Sequence, residues 1–245
     1  MLEKVENKNL GKLRNLFKDI RFYMGHSVLD GTMGEAYVDN ISNPNFAILT
    51  VRKYCFMSGN IEKENLYKLI NNKLKQYIII PSDNLKIVIE EIFKDNVNKL
   101  ERYSIKKNPV FNKKKLQEYI NKVPKEYNIQ AIDKKIADRV KEEKFINITD
   151  NYEKNGVGYY CIYNNEIIGV ASSNIFYKGG IEVNIKVKDE YRRKGIATAL
   201  ASKLILKCLE ENKKISWDAA NLWSVGLAEK LGFEYDSTYN IYKFI

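Results

Sequence analysis

Residues 187–200, VKDEYRRKGIATAL, constrain the fold more than any other stretch of the chain. The preceding IEVNIKV alternates with the period of a half-buried strand. The following GIATALASKLILKCLEEN reads as a long helix, KISWDAA as a further strand and NLWSVGLAEKLGF as a second helix. A strand–helix–strand–helix passage calls for a sheet with helices packed on it. Its first strand-to-helix seam carries Arg192, Arg193, Lys194 and Gly195. A helix start leaves unpaired amide N–H groups and a partial positive charge. Gly195 lets backbone approach a ligand closely and adopt conformations closed to other residues. Ala197 keeps the first turn uncluttered. Together these features suit a pyrophosphate. The plainer reading is a helix start with solvated basic side chains. The seam matches neither the P-loop nor the GxGxxG dinucleotide pattern.

The rest of the chain is mixed α/β, with an antiparallel run before the β–α–β–α passage. In the first half, LEKVENKNLGKLRNLFKDI reads as helix, and GEAYVDN and NFAILTVRKYCFMSGN as strands joined at Asn43-Pro44. KENLYKLINNKL is a helix, QYIIIPS a short buried strand, DNLKIVIEEIF a helix with Asp83 as N-cap, and KLERYSIKK a strand. Residues 112–122 form an amphipathic helix that Pro124 terminates, which places a domain border between 125 and 126. In the second half NIQAID is a strand, KKIADRVKEE a helix, and GVGYYCIYNN with EIIGVASSNIFYKGG a hairpin turning at Asn164-Asn165. EYDSTYNIYKFI closes the chain as strand. No internal repeat of solenoid period is visible.

Composition narrows the chemistry. His26 is the single histidine and has no nucleophile signature beside it, so Ser–His and Cys–His catalysis and zinc sites built on paired histidines are excluded. Proton transfer then falls to carboxylates, tyrosines, lysines, water or the substrate. Cys55, Cys161 and Cys208 are far apart and odd in number, which fits reduced, buried thiols and no metal site. The net charge of +10 is concentrated in residues 1–125, which hold 23 Lys/Arg and 14 Asp/Glu against 18 and 17 in the remainder. Because those lysines alternate with acids, the excess reads as a solvated face before it reads as a nucleic-acid surface. No apolar run approaches membrane-spanning length, and the start MLEKVENKNLGKL has no signal-peptide core, so the expected location is cytoplasmic.

Arg192, Gly195 and Ala197 after a strand ending in IKV resemble the Q/R-x-x-G-x-G/A motif with which GNAT acetyltransferases bind acetyl-CoA. NLWSVGLAEKLGF is similar to that family's N-x-x-[SA]-x-x-L-x-x-K-x-G-F helix, with Asn221, Ser224, Leu227, Lys230, Gly232 and Phe233 in place. GGIEV, WDAAN, GEAYVDN, YCFMSGN and IIIPSDN extend the likeness to a bacterial GNAT subgroup with an extra N-terminal domain. The resemblance implies a GNAT acyl-CoA acyltransferase fold for residues 126–245, a mixed sheet with two splayed strands. Residues 1–125 are then an α/β domain without a CoA motif, a candidate degenerate GNAT-like unit. It implies further that the backbone of Ile185, Lys186 and Val187 pairs with the pantetheine arm of CoA, and that Arg192, Arg193, Lys194, Gly195, Ile196, Ala197 and Thr198 hold the pyrophosphate. Asn221 and Ser224 would touch the pantetheine or its thiol end, with N-capping a compatible role for Asn221. The reaction implied is direct attack of an amine, from a small molecule or a protein, on the thioester of acetyl-CoA. Glu182 is the candidate base, with an exposed strand-end carboxylate as its plain alternative; Asp218 is a second candidate and Glu166 a poorer one. The family's frequent tyrosine acid is replaced by Ala228, leaving Tyr235, Tyr239, Ser224 or unaided departure of the thiolate. No metal is implied, and a homodimer is left open. Outside this reading stand a CoA-binding sensor with little catalysis, and nucleic-acid binding through the basic first half.

Overall fold

The structure, a computed structural model, describes residues 2–18, 20, 23–145, 152 and 156–245. The chain divides into two units, Met1–Arg102 with Thr238–Ile245, and Tyr103–Ser237.

In the first unit, β1 (Glu3–Lys4), β2 (Glu35–Val38), β3 (Phe46–Val51) and β4 (Tyr54–Gly59) form an antiparallel run, with α1 (Tyr23–Leu29) packed on β3. α2 (Lys63–Leu69) then leads to β5 (Ile78–Pro81), which pairs parallel to β4, and α3 (Asp83–Phe93) comes next. Three local expectations change. The stretch read as one helix at the N-terminus is β1 followed by a 3-10 turn over Asn7–Leu13, because Glu3 and Lys4 pair with β2 and the Asn- and Gly-containing NKNLG is a weak helix former. The run read as a single strand over 45–60 folds back into β3 and β4 at Arg52, which takes the left-handed φ of +56°. Ser82, not Asp83, occupies the N-cap of α3. Surface lysines of this unit meet carboxylates: Lys63 pairs with Glu91, Lys68 with Glu64, Lys86 with Asp83 and Lys99 with Glu90.

β6 (Val97–Ile105) carries the chain into the second unit. There the order is α4 (Lys113–Asn121), β7 (Asn128–Ala131), α5 (Lys134–Glu142), β8 (Gly158–Tyr163), β9 (Glu166–Tyr177), β10 (Gly180–Val187), α6 (Ile196–Glu210), β11 (Lys214–Ser216), β12 (Asp218–Ala219) and α7 (Leu222–Leu231). The five-stranded sheet has the order β11-β10-β9-β8-β7, and within it only β10 and β11 are parallel. Asn164 and Asn165, at φ of +47° and +63°, make the tight β8–β9 turn. α6 buries Ala199, Leu200, Leu204 and Cys208 against the sheet. Gly169 on β9 permits this approach: a Cβ there would meet Leu200 Cδ1 and Val187 Cγ2 at 3.1 Å. The last strand, β13 (Tyr235–Phe244), starts in this unit and ends in the first, where Tyr242 and Lys243 pair with Ile79 and Ile78 of β5.

The border expected at 125/126 therefore lies inside the second unit, and the chain's last eight residues belong to the first. α4 explains the shift. Its apolar face, centred on the buried Leu116, packs on α6, so the helix upstream of Pro124 belongs with the elements downstream of that proline. A second outcome is a duplication of topology. Each unit contains three antiparallel strands, a helix, a strand parallel to the third, and another helix: β2-β3-β4-α2-β5-α3 and β8-β9-β10-α6-β11-α7.

All three cysteines are buried free thiols. Burial pushes the Cys161 thiol up to about 11 and Cys208 to about 12, and raises Cys55 as well. They stay protonated, and poor nucleophiles, near neutral pH. Among the described residues no helix is long and apolar enough to cross a membrane.

Candidate active site

β10 and β11 run side by side only from Gly180/Lys214 to Glu182/Ser216. There they part. β10 continues to Val187 with β9 on its other side, while the chain after Trp217 leaves as β12 to pair with Tyr103 and Ser104 of β6. The segment read as one strand, KISWDAA, is thus two strands that serve different neighbours. At the same place the β9–β10 ladder shifts register between Glu182 and Val183, with Asn174 of β9 as the extra residue of a bulge. Beyond it, the β10 edge from Val183 to Val187 has no strand on the β11 side among the described residues. Unpaired strand N–H and C=O groups of this kind are a template for an extended ligand. Ile185, Lys186 and Val187 lie on that edge; Lys186 points outward and its Nζ donates to Lys144 O at 2.9 Å.

Glu182 stands at the point of parting. It is 6% exposed, which excludes the exposed strand-end role. Ser216, its partner in register, places Oγ in hydrogen-bonding contact with Glu182 Oε2 and 3.1 Å from Ile181 O. A buried carboxylate is thus held in one orientation by a hydroxyl 34 residues away in sequence. Asp218 is half-buried and sits on β12, paired with Ser104 and not with β10. Glu166, in the β8–β9 turn, is taken by Lys188.

The seam residues frame the start of α6. Gly195 is the N-cap in the left-handed conformation, φ +81° and ψ −5°, and supplies no side-chain cap, so the first-turn amides point outward uncapped. A Cβ on Gly195 would have Val123 Cγ2, at 4.0 Å, as its nearest neighbour, so the space in front of the helix is open. The three cations around it are each held. Arg192 pairs with Asp189 at 2.6 Å, Arg193 lies over the Trp223 ring at 4.2 Å, and Lys194 lies over the Tyr191 ring at 5.1 Å. Ile196 and Thr198 face the core, and Ala197 is half-buried. An uncapped helix start, an open approach and three cations fit a pyrophosphate.

Asn221 and Ser224 meet at the start of α7. Asn221 Oδ1 caps the helix by accepting Ser224 N–H at 3.0 Å, and Trp217 Nε1 donates to Ser224 Oγ at 3.0 Å. Ser224 Oγ thus accepts one hydrogen bond and retains a hydroxyl proton to donate. Ala228 is fully buried and offers no acid. Tyr235 is partly exposed on β13, and Tyr239 lines a cavity of about 590 Å³ in the first unit. Sequence reasoning overlooked Ser216, Trp217 and Trp223. Ser216 and Trp217 acquire their roles only through strand pairing and packing, and Trp223 occupies a variable position of its motif.

The corresponding place in the first unit is chemically different. Where β10 and β11 end their pairing on Glu182 and Ser216, β4 and β5 end theirs on Met57 and Pro81. Where α6 starts behind Arg192, Arg193 and Lys194, α2 starts at Glu62 with Glu64 in its first turn. At this position the first unit has Met57 in place of a carboxylate, and the start of α2 carries a single lysine, Lys63, flanked by Glu62 and Glu64 and paired with Glu91.

Known proteins share this fold. The profile of the GNAT acetyltransferase family matches residues 14–242. The chain is similar to the uncharacterized N-acetyltransferase YdfB of Bacillus subtilis (strain 168), with 26% identity over 99% of this chain and 98% of that protein. It is similar in structure to a GCN5-related N-acetyltransferase-like protein from Streptococcus suis 89/1591, with a TM-score of 0.88 and 29% identity over 97% of this chain and 99% of the other. A tandem GNAT protein from the clavulanic acid biosynthesis pathway shares the fold at a TM-score of 0.54 and 10% identity, over 99% and 98% of the two chains. The open β10 edge, the uncapped α6 start and the match over nearly the whole chain lead to one assignment: the chain belongs to the GNAT acetyltransferase family, and it is an enzyme of that family.

Proposed function

We propose that the protein transfers an acetyl group from acetyl-CoA to the amine of a small molecule or a protein. The observation that carries this reading is the buried Glu182–Ser216 pair at the point where β10 and β11 part. Bound acetyl-CoA supplies an activated acyl group on a thiol leaving group. The amides at the start of α6, with Arg192, Arg193 and Lys194, suit its pyrophosphate, and the β10 edge over Ile185–Val187 suits its pantetheine amides. Glu182 accepts the proton that the attacking ammonium must lose, and Ser216 holds the carboxylate in place. Ser224, already accepting from Trp217, donates its hydroxyl proton as a hydrogen bond to the departing sulfur, in the role open at Ala228. The cleft thus divides the work between a base on β10 and a donor on α7.

The test uses the full-length protein, acetyl-CoA and a panel of polyamines, aminoglycosides and lysine peptides, with free thiol as readout. Amine-dependent thiol release is expected for one acceptor class, with acetyl-CoA used faster than propionyl-CoA. Tight CoA binding with no amine-dependent release from any of them would turn the reading toward a CoA-responsive sensor.

A further inference from the structure

We propose that Trp223, stacked with Arg193, is the adenine-binding platform of the cofactor cleft. This rests on the CoA reading and extends it to the far end of the cofactor.

The chain has two tryptophans, and their settings are opposite. Trp217 is buried, packs edge-on against Phe233 at 5.4 Å and uses its indole N–H on Ser224. Trp223, in the first turn of α7, is 73% exposed. Such an indole adds little to the core and leaves most of a large apolar ring in water. It is nevertheless engaged in one direction, because the Arg193 guanidinium lies 4.2 Å from its ring centroid. Arg193 holds the left-handed φ of +65°, an uncommon conformation for a residue with a side chain.

The position of that stack is informative. Arg193 precedes Gly195 by two residues, so its Cα stands within about 7.6 Å of the Gly195 Cα. The stack therefore borders the α6 start that suits the pyrophosphate. In CoA the pyrophosphate joins the pantetheine arm to an adenosine whose ribose carries a 3′-phosphate. With pantetheine along β10, the adenosine leaves the cradle on the other side of the pyrophosphate. A purine one ribose away meets a flat, electron-rich indole whose exposure leaves ring surface to stack on. Arg193 serves two purposes there. Its face covers the indole, and its in-plane N–H donors remain available to a phosphate oxygen. The neighbouring cations are differently engaged: Arg192 pairs with Asp189, and Lys194 lies over the half-buried rings of Tyr191 and Tyr127, so among the seam cations Arg193 is the one on a largely exposed ring.

The experiment is calorimetric titration of the full-length protein and its Trp223→Ala and Trp223→Phe variants with CoA, adenosine 3′,5′-bisphosphate and 4′-phosphopantetheine. Base–aromatic stacking predicts that Trp223→Ala weakens CoA and the bisphosphate about 5- to 100-fold. 4′-Phosphopantetheine, which lacks the base, should keep its affinity, and Trp223→Phe should recover part of the loss. Quenching of tryptophan fluorescence by the bisphosphate alone, absent in Trp223→Ala, is the second readout. Equal losses for all three probes would make Trp223 a structural residue and overturn the proposal. Unchanged CoA affinity, with a change of oligomeric state in Trp223→Ala, would overturn it in favour of a contact between copies. Failure of the wild type to bind either CoA or 4′-phosphopantetheine would remove the CoA reading and this platform with it.

Discussion

Gly195→Val gives the sharpest test of the cradle. Gly195 sits at φ +81°, and holding an L-residue in the left-handed region costs about 1–2 kcal/mol, more for a β-branched side chain. Crowding adds little, since the nearest atom to a new Cβ is Val123 Cγ2 at 4.0 Å. Against a total stability of about 5–15 kcal/mol the variant stays folded, with its melting temperature lowered by several degrees, roughly 2–4 °C per kcal/mol for a chain of this size. Binding suffers far more. Either valine keeps the backbone and projects its methyls into the open space before the helix, or the backbone relaxes and turns the first amides of α6 away. Each hydrogen bond to a charged group is worth about 1.5–3 kcal/mol. Losing two costs about 3–6 kcal/mol, or roughly 10²–10⁴ in affinity. Gly195→Ala separates the causes: it carries most of the conformational strain without the bulk, so its melting temperature should fall somewhat less than the valine variant's while its CoA affinity falls far less. Calorimetry with CoA, beside thermal melts of both variants, measures this. A folded valine variant with wild-type CoA affinity would refute the placement of the pyrophosphate at α6.

Glu182→Gln should lower kcat by about 10²–10⁴ with CoA affinity nearly unchanged, and raising the pH should recover part of the loss because more of the acceptor amine is already neutral; a normal kcat with a lower melting temperature would instead make Glu182 structural. Ser216→Ala removes a hydrogen bond to a charged group and should cost roughly 10- to 100-fold in kcat, read in the same assay; an unchanged kcat would show that the carboxylate needs no positioning. Asn221→Ala removes the N-cap of α7 and should destabilise the protein by about 0.5–2 kcal/mol in chemical denaturation, a result that an uncapped helix start would not give. Deleting residues 238–245 takes Tyr242 and Phe244 out of the first unit's core and exposes the edge of β5. At about 1.5–3 kcal/mol per large buried side chain it should cost that unit roughly 3–6 kcal/mol, seen as lost hydrogen-exchange protection in β4 and β5; native protection there would show that the last strand is dispensable. The same strand makes a fragment of residues 1–125 a poor test of whether the first unit binds CoA, and titration of the whole chain is preferable.

Local chemistry made much of this protein legible from its residues alone. The positive-φ demand at Gly195, the polar N-cap Asn221 and the Asn164-Asn165 turn each act within a few residues; the alternation read over 181–187 does not appear in the burial of β10, where Ile181, Glu182 and Val183 are all buried. The seam and the α7 motif, which carry the family resemblance, are local in the same sense. What failed also has a local explanation: NKNLG could not sustain a helix, and Arg52 accepted a turn conformation that its residue type does not advertise.

The tertiary structure decided whatever depends on partners distant in the chain. Glu182 reads in sequence as a strand-end acid, and only parallel pairing with β11 buries it against Ser216. KISWDAA has the pattern of one strand, but competition between β10 and β6 for its backbone divides it at Trp217 and opens the cleft. The doubled topology is invisible because each unit keeps a strand and helix order, not a residue pattern: β4 and β5 end their pairing on Met57 and Pro81 where β10 and β11 end theirs on Glu182 and Ser216. The last strand completes a unit that began more than 200 residues earlier, since the exposed edge of β5 and the core around Phe93 are satisfied by Tyr242 and Phe244. Hydrogen-bonding edges and apolar faces carry no address in sequence. They are matched only when the sheets form, and that matching placed the Glu182–Ser216 pair, the open strand edge and the Arg193–Trp223 stack.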